Sequence, residues 1–184
     1  HNHANGQYGH QHAFHKFSSY FNVIGLSLPR ALAKAGYRTG HIGKFHVSPE
    51  KVFHFQTYMK GKQRNAVDMA NKSEDFITEK SDQPFFLYFA PSDPHRGGGI
   101  DMTSKNKLKP DLFGNKPNWE EHEGVKEVFY NPKDVLIPSF LSDTPETREE
   151  LAHYYQSVSR IHQGLARQIE ILKDADLYEK TMIV

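Results

Sequence analysis

The sequence predicts an α/β fold, a mostly parallel sheet with helices around it, and three observations carry that prediction. A short helix stopping at Gly36 runs straight into a strand. The continuous apolar run Phe85-Phe86-Leu87-Tyr88-Phe89-Ala90 lies between Pro84 and Pro91. From Pro145 to about Asp174, apolar residues recur at intervals of three and four. Strands joined through helices return in the same direction, so this alternation builds a parallel sheet. At 184 residues the chain fits one domain and can bury a real core.

Ser27 to Gly36 carries both marks of a helix: Ser27 as N-cap with Pro29 in the first turn, and Gly36 as the stop. Tyr37 to Ile42 follows as a strand. Val52 to Arg64 mixes aromatic and polar residues and reads as an irregular excursion. Asn65 to Lys80 places Val67, Met69, Ala70, Phe76 and Ile77 at imperfect helical spacing. The run from Phe85 to Ala90 reads as a strand buried on both faces of the sheet. Gly97 to Thr144 is loop-like and holds Pro110, Pro117, Pro132 and Pro138, with Trp119 either stacking on a sugar or anchoring the loop.

The last helix has Thr144 as N-cap and Pro145 at its first position. Leu151, Tyr154, Tyr155, Val158, Ile161, Leu165, Ile169 and Leu172 form one stripe expected to face the sheet, and Gly164 marks a close approach. Asp174 to Lys180 is an exit loop, and Thr181 to Val184 begins another strand. Opening without a methionine and stopping inside that strand, the chain reads as a segment of a longer protein.

Composition narrows the function classes. Twenty-three basic against 22 acidic residues give a net charge of +1, which excludes a strongly basic nucleic-acid arm. There is no cysteine, so disulfides and cysteine-ligated zinc are excluded. No apolar run approaches the roughly 20 residues that span a bilayer. Twelve histidines raise the net charge as pH falls through about 6.5. Five of them, His1, His3, His10, His12 and His15, suggest metal binding, but no three- or four-ligand spacing stands out and acidic co-ligands are missing.

The chemistry gathers at two strand ends. In open α/β sheets ligands bind outside the carboxyl ends of the strands. The first strand ends in Gly43-Lys44-Phe45-His46. Extended backbone there would set Lys44 and His46 on one side with Phe45 facing away. An ammonium and an imidazole converging on one point suit a tetrahedral oxyanion. The second strand ends in Pro91-Ser92-Asp93-Pro94-His95-Arg96, again bringing titratable groups to the rim. Together the two ends offer the components of a convergent anion site.

The run Gly36-Tyr37-x-Thr39-x-x-Ile42-Gly43-Lys44-x-His46 resembles the second signature of the sulfatase family. Asp93-Pro94-His95-Arg96 resembles the sulfamidase-like branch of that family. His3-x-Asn5-Gly6-x-Tyr8-Gly9 resembles the loop after its nucleophile helix, and Asn131 to Pro138 resembles one of its connections. Ser27-x-Pro29-Arg30 imitates the nucleophile motif but lacks the small residue before the arginine and sits too close to Lys44. His162 stands where the family usually has aspartate.

The resemblance implies an alkaline-phosphatase-like fold, incomplete at both ends, with residues 1–184 forming part of a catalytic domain and 97–144 a possible substrate wall. It implies hydrolysis of a sulfuric ester or sulfamate on a sulfated sugar. The nucleophile would be formylglycine and the metal Ca2+, both supplied from outside this chain, in an exported protein. Lys44, His46 and His95 would be catalytic, with Asp93 and Arg96 contacting the sugar. Lys44 would pair with a sulfate oxygen, His46 with the nucleophile's hydroxyl, and His95 would protonate the leaving atom. The alternative is a non-catalytic anion- or glycan-binding module that uses the same rim.

Overall fold

The structure, a computed structural model, describes residues 27–95 and 122–184. The histidines before residue 16, Arg96 and Trp119 lie outside the described residues. In chain order the elements are α1 (Leu28–Lys34), β1 (Arg38–Gly43), β2 (Thr57–Met59), α2 (Ala66–Thr78), β3 (Phe85–Ala90) and α3 (Pro145–Asp174), with 3-10 turns at Pro132–Asp134 and Tyr178–Lys180. The strands form a parallel sheet in the order β2-β1-β3. The α/β prediction therefore holds, and β1 is the central strand.

Sequence punctuation placed most element ends within two residues. Thr144 caps α3 by accepting from the Thr147 amide, and Asn65 caps α2 by accepting from the Asp68 amide. Ser27 precedes α1, but its hydroxyl donates to the Val52 carbonyl and caps nothing. The first excursion hides β2, whose three residues pair with Gly40, His41 and Ile42. Three residues are too few to show a period. Thr181 is extended, but Thr181 to Val184 joins no ladder among the described residues.

Two packing expectations are corrected. β3 is not buried on both faces: it lies at the end of the described strand order, and Tyr88 is 48% exposed. The fully buried strand interior belongs to β1, from Thr39 to Ile42. Nor does the apolar stripe of α3 face the sheet along its length. The buried positions of α3 are Ala152, Gln156, Ser157, Arg160, Gly164, Gln168, Ile171 and Leu172, while Tyr154 and Leu165 are exposed. This face is largely polar because α3 packs on α2 and against the turn after β3, which offer polar partners. Gln168 donates to the Ser73 hydroxyl at 2.7 Å, and Arg160 reaches Asp93. Only the last turns of α3 join the apolar core, where Ile171 and Leu172 meet Ala70, Ile77, Phe85, Leu87 and Phe89.

Gly164 is where the two helices touch. A Cβ there would lie 2.3 Å from the Ala66 Cβ and 2.7 Å from its carbonyl carbon and oxygen. Backbone cannot swing aside as a side-chain tip can. Gly164→Ala is therefore expected to cost about 3 kcal/mol, the upper part of the usual overpacking range. Chemical denaturation measures it, and a cost below about 0.5 kcal/mol, the scale of neutral surface changes, would show that the helices have room.

Candidate anion site at the strand ends

β1 and β3 run side by side in register, with Gly43 opposite Ala90. Their tips remain joined one residue later, where the Lys44 amide donates to the Ala90 carbonyl at 2.6 Å. Gly43 makes this closeness possible. It sits at φ +98°, and a Cβ would fall 2.1 Å from the Ala90 carbonyl oxygen. The two rim segments expected from the sequence are thus neighbours by hydrogen bonding, not merely by topology.

Phe45 turns back onto one face of the sheet. Its ring meets His41 at 5.1 Å and joins a group that includes Phe55 and Tyr58. Lys44 is half-buried, and His46 is exposed. His95 is also exposed, in a turn closed by its amide donating to the Ser92 carbonyl at 3.0 Å. Lys44 and His95 therefore lie just beyond two hydrogen-bonded strand ends.

The segment just before α2 ties both ends together. The Ser92 amide and hydroxyl donate to the backbone and side-chain oxygens of Gln63, each at 2.8 Å. The amide group of Gln63 reaches the Gly43 carbonyl at 3.4 Å. Arg64 donates to Asp93 Oδ1 at 2.5 Å and to the His95 carbonyl at 2.8 Å. Nothing in local sequence spacing distinguishes Gln63 and Arg64 from solvated loop residues.

Asp93 is turned into the protein. It is 5% exposed, and its carboxylate oxygens are taken by Arg64 and by Arg160 Nε, the latter at 2.7 Å. A carboxylate turned inward between two guanidinium groups is engaged with the protein. The four-residue spacing of Gln156, Arg160, Gly164 and Gln168 was the available sequence signal for a polar helix face. His162, at the departure from the family pattern, is exposed.

His41 supports the Lys44 backbone from below. Its Nε2 lies 3.3 Å from the Lys44 carbonyl, so Nε2 carries the proton. Rings of Phe45, Phe55, Tyr58 and Tyr88 surround it. Burial pushes its pKa below the ordinary 6.5, and the Lys44 carbonyl opposes this only in part. The unfolded chain therefore takes up this proton at higher pH than the folded one. The His41 contribution is complete above 6.5 and is lost as pH falls toward the folded pKa. His41→Phe is expected to flatten the fall in unfolding free energy between pH 7.5 and 5, measured by urea denaturation. An unchanged slope would show that His41 titrates alike in both states.

Among the described residues, no group of three or more histidines, aspartates or glutamates is arranged to hold a metal ion. The described residues thus do not by themselves make the cradle that Ca2+ would need. No helix among them is long and apolar enough to cross a membrane.

The sulfatase family profile matches residues 4–184. The chain belongs to the sulfatase family. Human N-sulphoglucosamine sulphohydrolase is 36% identical to it over 194 aligned residues, which cover 99% of this chain and 37% of the human protein. The chain thus spans just over a third of the length of that curated relative. The α/β arrangement of this sulfatase chain, three parallel strands with helices, is consistent with part of an alkaline-phosphatase-like fold.

Proposed function

We propose that the protein carrying this chain hydrolyses a sulfuric ester or sulfamate on a sulfated sugar. Residues 1–184 would form part of its catalytic domain, with 97–144 as a substrate-facing wall. The observation that supports this most is the hydrogen-bonded junction of β1 and β3, which sets the Lys44 and His95 segments side by side at the carboxyl ends of parallel strands. The family membership and the activity for which the human relative is named point to the same chemistry.

In this reading the ammonium of Lys44 meets a sulfate oxygen and steadies the charge that grows as the bond to sulfur breaks. His46 hydrogen-bonds the nucleophile's hydroxyl. His95 holds the sulfate and donates a proton to the departing nitrogen or oxygen. Arg96 contacts the sugar. A formylglycine nucleophile, Ca2+ and export belong to the proposal through the family resemblance, the first two being supplied by residues other than those described.

The test is sulfate release by the full-length protein from glucosamine carrying either an N-sulfate or an O-sulfate. Release from one of them supports hydrolysis and identifies the bond. Tight binding of both sugars with no release would instead make the rim a glycan-binding surface.

A further inference from the structure

We propose that Arg64, Asp93 and Arg160 are positioning residues that fix the His95 turn against the strand tips; this rests on the reading that His95 works at the sulfate site. The three side chains connect segments far apart in sequence. Arg64 lies just before α2, Asp93 in the turn after β3, and Arg160 in the middle of α3. Arg160 and Asp93 side chains are 1% and 2% exposed, and Arg64 is 23% exposed.

The geometry of Arg64 is specific to the turn that presents His95. One guanidinium nitrogen holds Asp93 Oδ1 and the other holds the His95 carbonyl, so its fork grips both sides of Pro94. A lysine offers one point charge and cannot span the two. Arg160 then anchors Oδ2 of the same carboxylate from the rigid interior of α3. Glu127 Oε2 lies 3.9 Å from Arg160 Nη1, which sets two carboxylates against two guanidinium groups. Buried ion pairs seldom stabilise more than apolar residues of the same volume would. What this set supplies is a fixed location for the backbone of residue 95, referenced to two helices and to the strand junction.

The experiment uses the full-length protein with Arg64→Gln and Arg64→Lys, each also in a His95→Ala background. Arg64→Gln is expected to lower kcat by about 10- to 100-fold, the scale of a displaced reacting group, with little change in KM. In the His95→Ala background it should cost less than about twofold, because the group it orients is gone. Arg64→Lys should recover only part of the loss. Hydrogen exchange gives a readout independent of turnover: the peptide containing residues 92–95 should exchange faster in Arg64→Gln while α2 and α3 keep their protection.

Equal losses in both backgrounds would overturn the action of Arg64 through His95. Unchanged exchange at 92–95 would overturn the positioning itself. If His95→Ala turns over normally, the role of His95 fails, yet faster exchange at 92–95 would still support Arg64 as the clamp of that turn.

Discussion

Alanine at Lys44 or at His95 is expected to lower kcat of the full-length protein on its sulfated sugar by about 100-fold or more, the usual cost of one donor at a site of developing charge. Both head groups meet the reacting sulfate in the proposed arrangement, and both follow strand ends that are hydrogen-bonded to each other. Because their interactions strengthen as charge develops, the loss should fall on kcat more than on KM. Sulfate release at saturating substrate measures it. Lys44→Arg should restore little, since a planar fork replaces a compact charge in a half-buried place. Near-normal turnover in both alanine variants would remove these residues from the reaction.

Asp93→Ala is expected to be strongly destabilising while leaving the strand tips themselves intact. It removes the carboxylate that Arg160, 1% exposed, holds at 2.7 Å and Arg64 holds at 2.5 Å. Removing one member of a buried ion pair costs about 3–5 kcal/mol, far more than the pair contributes over an apolar replacement. Thermal and urea unfolding of the full-length protein check this. A loss below about 1 kcal/mol would mean the trio behaves as a solvated surface cluster. The double substitution Asp93→Asn with Arg160→Gln should recover part of the loss, because neither side chain then carries an unpaired buried charge.

Much of the fold was legible. The boundaries of α3 follow from Thr144, Pro145 and the length of the periodic run, and Gly164 was recognised as a packing position from its place within that run. β3 was found from six consecutive apolar residues between prolines. The 3.6-residue period of α3 was also visible, but the face chosen from it was the apolar one. Hydrophobic periodicity identifies a helix; it identifies the buried face only where the partner is apolar. Here the partner offers Asp93, Ser73 and Ala66, so Arg160, Gln168 and Gly164 go inside. β2 escaped because three residues held by pairing with β1 carry no local signature.

The sequence by itself determined the strand–helix alternation, the glycine turn that follows β1, and the pair of rim segments bearing Lys44, His46 and His95. These are local matters: capping, periodicity and the conformations open to glycine and proline act within a few residues. Only the tertiary structure decided that the Lys44 amide meets the Ala90 carbonyl, that Gln63 and Arg64 tie both tips, and that Asp93 turns inward to Arg160, 67 residues away. A carboxylate in a turn reads as solvent-facing until a guanidinium from a distant helix arrives to neutralise it, and that partner is set by the packing of α3 on α2, not by any neighbour in the chain.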